Sequence, residues 1–273
     1  MPQLKNPFTP SFGSIPKYMA GRESILNDMN QAFLDGIGNP NLATILIGPR
    51  GTGKTALLSR IASIAQGQHW VTVDTVAADG MLEDIFQQTN KNAASLIDQS
   101  EERHLVGVGV GQFFSLEWER ETPEKETWRI RMEGLLEQLA NKCSGVLITV
   151  DEVRVEVEEM VQLVSTYQLL IREGFNVALV MAGLPMEVTD LIGDRRVTFL
   201  RRARQRYLGL IEDREIRQAF IKTIDNAQKN IETDALDYAV KATNGFPYMM
   251  QLIGYFMWLE SAKILRRLMP KEV

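Results

Sequence analysis

The chain's 273 residues suffice for one large or two smaller domains, and 45% hydrophobic with 24% charged content places it among globular proteins, not disordered ones. Its 30 basic and 35 acidic residues give a formal net charge of −5, a total that indicates neither a dedicated nucleic-acid binder nor a membrane-surface protein. A single cysteine, Cys143, and two histidines argue against a disulfide framework and a His/Cys metal centre; no apolar run approaches the roughly 18 residues of a membrane span, and Met1 to Pro10 lacks the apolar core of a signal peptide, so the expected location is the cytoplasm.

Met1 to Lys17 carries Pro2, Pro7, Phe8, Pro10, Phe12, Gly13 and Pro16 and reads as an extended arm, because each proline removes a backbone donor and interrupts a helix. Tyr18 to Glu23, which includes Gly21 and Arg22, then opens a helix. Its apolar positions Ile25, Leu26, Met29 and Phe33 recur at helical spacing until Gly36 and Gly38 stop it. The β-branched run Thr44 to Ile47 leads into Gly48-Pro49-Arg50-Gly51-Thr52-Gly53-Lys54-Thr55-Ala56, followed by an apolar-periodic helix with Leu57, Leu58, Ile61 and Ala62. This is the G-x-x-x-x-G-K-[ST] phosphate loop in its strand-to-helix context. Gly51 and Gly53 can take backbone angles closed to other residues, so successive N–H groups turn toward phosphate oxygens. Lys54 is expected to reach the β- and γ-phosphates, Thr55 to place its hydroxyl on Mg²⁺, and the helix N-terminus to favour the anion.

Trp70 to Val73 is a second short strand and Met81 to Ile97 an amphipathic helix, so strand, loop and helix recur and predict a parallel sheet flanked by helices. In Leu105 to Trp118, valines at 106, 108 and 110 alternate with glycines at 107, 109 and 111. The order lacks G-x-G-x-x-G, so the segment reads as an inserted hairpin or ribbon rather than a dinucleotide site. Thr122-Pro123-Glu124 starts a helix that runs through Trp128, Met132, Leu135, Leu136 and Leu139. The apolar strand Val146 to Val150 ends in Asp151-Glu152, which places two carboxylates at the carboxyl edge of a parallel sheet. There Asp151 is the expected Mg²⁺ partner and Glu152 the residue that orients or deprotonates an attacking water.

With both motifs in one chain, the sequence resembles the P-loop ATPases of the AAA+ and STAND group over most of its length. Gly21-Arg22-Glu23 is similar to the segment that closes over adenine in origin-recognition-like and STAND members, and Gly245-Phe246-Pro247 to the G-x-P motif of their helical lid. The resemblance implies a nucleotide site made of Gly48 to Ala56 with Gly21, Arg22 and Pro247, binding ATP and Mg²⁺. Two departures are visible. The strand Asn176 to Ala182 ends in Ala182-Gly183, where AAA+ relatives carry a polar γ-phosphate sensor, and Tyr248 follows Pro247 where several relatives carry arginine.

Arg195, Arg196, Arg201, Arg202, Arg204 and Arg206 crowd twelve residues without an acid among them. If Val197 to Leu200 is the last strand, Arg201 or Arg202 emerges near the nucleotide edge and could act as a catalytic arginine, in cis or from a neighbouring subunit. A solvated surface and a nucleic-acid backbone patch are the other two readings of the run. Asp213 to Ile224, Thr233 to Ala242 and Phe246 to Leu268 read as three helices of a lid, after which five residues remain, too few for an appended output module.

The expected architecture is therefore α/β: a P-loop NTPase parallel sheet flanked by helices over residues 1–207, with a small C-terminal helical lid over 208–273. The leading functional reading is a Mg²⁺-dependent ATPase that drives a conformational or assembly switch, as a homo-oligomer or with a protein partner. A non-hydrolysing interaction module, a DNA-transaction ATPase and a P-loop kinase are the alternatives.

Overall fold

The computed structural model describes residues 5–11, 15–101, 127–140 and 142–268, and the side chains of these apart from 95–101 and 262–268. The ribbon expected over 105–118 and the helix start at Thr122-Pro123-Glu124 lie outside the described residues. Contacts divide the chain into two units: the described parts of Leu26–Ile47 and Leu58–Tyr207 form one, and those of Met1–Ile25, Gly48–Leu57 and Leu208–Val273 form the other.

The chain enters α1 (Glu23–Asp35) and turns at Gly36, whose φ is +66°. A 3₁₀ turn (Pro40–Leu42), capped by the Asn39 side chain accepting the Asn41 N–H, delivers it into β1 (Ala43–Ile47). There follow α2 (Lys54–Gly67), β2 (Trp70–Val76), α3 (Met81–Glu101), α4 (Trp128–Leu139), β3 (Gly145–Asp151), α5 (Glu158–Arg172), β4 (Val177–Gly183), α6 (Pro185–Gly193), a 3₁₀ helix (Arg195–Arg202) and β5 (Arg204–Tyr207). Among the described residues the sheet has five strands in the order β2-β3-β4-β1-β5, and all of these pairs are parallel. Parallel strands covered on both faces by crossover helices are apolar throughout. β4 is accordingly buried along its whole length, and β3 up to Asp151.

The register rests on one glycine. Gly145 pairs with Trp70, and a Cβ at Gly145 would lie 2.6 Å from the indole and 2.6 Å from the Asn176 carbonyl. The indole fills that space, meets the Phe33 ring in a tilted arrangement at 5.1 Å and donates its N–H to the Phe33 carbonyl at 3.0 Å, so its only polar atom is satisfied in a fully buried position.

Two expectations for the last strand are corrected. Val197 to Leu200 is not a strand: it lies inside the 3₁₀ helix, and the edge strand is the polar Arg204–Tyr207. The helix is kinked at Val197 (φ −128°, ψ 33°), and both Val197 and Leu200 are buried in the sheet's core. Asp194 starts this helix by accepting the Arg196 N–H. The same topology moves Arg201 and Arg202. Arg204 lies opposite Thr44 and Tyr207 opposite Ile47, so residues 201–202 precede β5 at the amino edge of the sheet, roughly 10 Å of strand away from the carboxyl edge.

In the other unit, α7 (Asp213–Asn226), α8 (Thr233–Ala242) and α9 (Pro247–Leu268) surround a separate core of Ile211, Ile216, Phe220, Leu236, Val240 and Met250. Phe8 of the arm, and Ala20 just after it, belong to that core as well.

Replacing Gly145 with alanine should destabilise the protein by about 1–3 kcal/mol through overpacking against Trp70. A urea unfolding midpoint equal to that of the unaltered chain would show that the indole does not need the missing side chain.

Candidate functional site

The loop between β1 and α2 is built from its own backbone. Gly51 and Gly53 both have φ of +82°, a left-handed region that a side chain disfavours. Thr52, 1% exposed, turns its hydroxyl inward to donate to the Pro49 carbonyl at 2.9 Å. Gly48 is constrained from outside: a Cβ there would lie 2.6 Å from the Leu208 carbonyl and 2.8 Å from the Thr52 hydroxyl. The Lys54 ammonium donates to the Gly48 and Pro49 carbonyls at 2.7 and 3.0 Å, which folds the lysine back across the mouth of the loop. Thr55 is exposed in the first turn of α2.

The same unit holds the other nucleotide-site candidates, and of these Pro247, with its neighbour Phe246, meets the loop. Phe246 lies over Gly51 and Pro247 over Gly53, 3.7 and 3.8 Å from where Cβ atoms would stand, which is ordinary van der Waals contact. Pro247 begins α9, where its fixed φ suits a first helical position. Gly245 just before it has φ +76° and is held by its carbonyl accepting the Ile211 N–H at 2.8 Å. Gly21, φ +65°, packs where a Cβ would meet the Glu215 carboxylate at 2.5 Å. Arg22 donates to the Gly209 carbonyl at 2.9 Å. Burial pushes its guanidinium down from the ordinary arginine value, and the charge of Glu215 opposes that shift.

In the sheet unit, Asp151 and Glu152 stand at the carboxyl edge. The β3–β4 pairing sends the Val146 N–H to the Asn176 carbonyl, and two-residue steps along the strand would send the Glu152 N–H to the Ala182 carbonyl. Val153 makes that bond instead, at 3.0 Å, while the Glu152 N–H turns to the Asp151 carboxylate at 2.9 Å. One residue is thus inserted, and Glu152 takes φ +51°, an unusual angle for a glutamate. The bulge thrusts Glu152 into solvent, where its carboxylate pairs with Arg154 at 3.3 Å. Asp151 is held more firmly, its carbonyl accepting the Ala77 N–H at 3.1 Å.

The end of β4 is closed by packing. A Cβ at Gly183 would stand 2.5 Å from Val153 and 2.9 Å from Val188, both fully buried, so the end of β4 has no room for a polar side chain. The arginine run separates by partner. Arg196 is clamped by Asp194 and Glu158, which raises its pKa and lowers that of Asp194 to about 2, and Arg206 binds Asp28. Arg195, Arg201, Arg202 and Arg204 are exposed and make no ion pair among the described residues.

Sequence reasoning did not single out Arg154, Leu208 or Glu215. Leu208 acts through a backbone carbonyl, which carries no residue signature; its only signal was an apolar residue following a polar strand.

No protein-family model and no curated protein matches the chain. Solved structures do. A Walker-type ATPase of Pyrococcus abyssi is 14% identical with a TM-score of 0.57, covering 91% of this chain and 76% of that one. The ORC2 protein of Aeropyrum pernix, solved as ADPNP-ADP complexes, is 13% identical with a TM-score of 0.57, covering 94% and 67%. The ORC1 protein of the same organism, solved in complex with DNA, is 15% identical with a TM-score of 0.53, covering 97% and 65%, so this chain spans about two thirds of either protein.

A Gly183→Ser variant, which places a hydroxyl at the strand end, should lose about 1–3 kcal/mol of stability, and adding Val153→Ala should recover part of the loss. Equal unfolding midpoints for the three proteins would contradict the packing explanation. The parallel sheet in this strand order, its flanking helices and these neighbours together give the chain the fold of the AAA+ P-loop ATPases, in the form shared with the origin-recognition proteins.

Proposed function

We propose that the chain binds ATP with Mg²⁺ and hydrolyses it to drive a conformational or assembly switch. The observation that carries this reading is the seating of Phe246 and Pro247 on Gly51 and Gly53. A ligand entering the loop must meet the first turn of a lid helix, so occupancy of the loop becomes a movement or an ordering of the lid. The loop fits a polyphosphate: two left-handed glycines, a helix N-terminus and a lysine within reach of the loop, donating to the Gly48 and Pro49 carbonyls. An exposed threonine hydroxyl and a carboxylate are hard oxygen donors of the kind Mg²⁺ takes, with water completing its shell.

Each residue then has a role. The N–H groups of the loop from Gly48 to Ala56 bind phosphate oxygens. Lys54 exchanges the Gly48 and Pro49 carbonyls for the β- and γ-phosphates, a stronger charge-assisted pairing. Thr55 and Asp151 are the residues that would hold Mg²⁺, which would supply neutralisation of the phosphate charge. Glu152, pushed out by the bulge, takes the proton of the water that attacks the γ-phosphorus in line as the bond to the ADP oxygen breaks. Gly21 and Arg22 close over the base. Arg201 and Arg202, at the amino edge of their own sheet, serve as catalytic arginines only to a neighbouring copy, which makes a homo-oligomer part of the proposal.

A second reading has its own support. The crowded Gly183 leaves no sensor at the end of β4, which favours a chain that binds ATP and hydrolyses it slowly or not at all. The DNA-bound neighbour is compatible with a DNA-transaction ATPase, whose turnover would rise with DNA and fall steeply with salt.

Lys54→Ala should weaken ATP binding at least tenfold, since each charge-assisted contact contributes about 1.5–3 kcal/mol; unchanged affinity by calorimetry contradicts the site. Glu152→Gln should lower turnover by about 10²-fold or more with binding retained. Equal turnover in that variant moves the account to the non-hydrolysing reading.

A further inference from the structure

The N-terminal arm docks on the lid through a built socket. Phe8 is 2% exposed. Its ring occupies the space that a Cβ at Gly254, inside α9, would take, and lies 5.8 Å from the ring of Phe220 on α7. Backbone and side chains fix it on both sides. Asn6 accepts the Phe8 N–H at 3.0 Å and donates to the Tyr255 carbonyl at 3.1 Å, while the Thr9 N–H donates to the side chain of Gln251, itself 8% exposed, at 3.1 Å. Just beyond the arm, Tyr18 accepts a hydrogen bond from Asn226, and Ala20 is buried in the lid's core.

α9 is thus gripped at Gln251, Gly254 and Tyr255, one to two turns after Phe246 and Pro247, the residues lying on the loop glycines. A glycine inside a helix is otherwise unfavourable, and here its missing side chain is what admits the ring.

We propose that Phe8 is a positioning residue for the nucleotide site: seated at Gly254, it holds α9 in the orientation that keeps Phe246 and Pro247 over the phosphate loop, so that the arm sets how long ATP stays bound. The inference rests on the ATP-binding reading above. Without the ring, the lid adopts the closed position in a smaller fraction of molecules, and apparent affinity falls by that fraction.

The test follows ATP dissociation by stopped flow with a fluorescent ATP analogue and Mg²⁺, on the full chain. Phe8→Ala should release the analogue about tenfold faster and raise KM by a similar factor, with kcat unchanged where chemistry limits turnover. Phe8→Leu, which refills most of the socket, should restore most of the lifetime. Gly254→Ala should reproduce Phe8→Ala by expelling the ring, and the double variant should release no faster than either single one. Because Gly254→Ala improves helix propensity, the double variant should also unfold at no lower urea concentration than Phe8→Ala alone, which separates positioning from general loss of stability. Release at the unaltered rate in Phe8→Ala, with binding abolished by Lys54→Ala, overturns the proposal and leaves the ATP reading standing. Additive effects of the two substitutions also overturn it. No ATP binding by the unaltered chain removes both.

Discussion

The Leu208 carbonyl against Gly48 is the constraint on which the phosphate loop depends. A loop that presents N–H groups inward must leave its interior free of side chains, and its backbone must still be held from outside. Gly48 meets both needs, because a Cβ there would collide with the Leu208 carbonyl and with the Thr52 hydroxyl that ties the loop to Pro49. The segment after Leu208 continues the same logic. Gly209 accepts from Arg22, Ile211 donates to Gly245, and Gly245 leads into the Phe-Pro pair that lies on Gly51 and Gly53. A short run from 208 to 211 therefore links the loop, the arm and the lid through backbone atoms.

The sheet unit follows a different rule, in which crowding decides what the edge can carry. β4 is apolar to its last residue, and Val153 and Val188 close over Gly183, so this edge has no room for a polar side chain. The bulge that brings Val153 to the Ala182 carbonyl also drives Glu152 outward in a left-handed conformation. The feature that excludes a sensor and the feature that projects the glutamate are two results of one insertion. Strain of this kind, held by surrounding packing, is typical of functional positions.

Much of this was legible in the residues, for physical reasons that vary by element. β1, β3 and β4 announce themselves as short apolar runs because both of their faces are covered, and the lid helices do so by their period. β5 was not legible. Its residues Arg204 to Tyr207 are polar because the strand sits at the edge, and its strand character comes from pairing with β1, which no local pattern encodes. The apolar signal beside it belonged to a 3₁₀ helix, and the misreading carried Arg201 and Arg202 to the wrong end of the sheet. The arm was read as extended from its prolines, yet its attachment was hidden. Phe8 and Gly254 are 246 positions apart, and only the three-dimensional fit explains why one is aromatic and the other lacks a side chain.

The central proposal is that a triphosphate binds in the loop and engages the lid residues that lie on its glycines. A crystal structure with a non-hydrolysable ATP analogue and Mg²⁺ tests it most directly. The account predicts the phosphates on the loop N–H groups, the Lys54 ammonium moved from the Gly48 and Pro49 carbonyls to phosphate, and Mg²⁺ bound by the Thr55 hydroxyl and, directly or through water, by Asp151. Analogue bound elsewhere, or in the loop with Lys54 still on its carbonyls and no metal at Thr55, would contradict it.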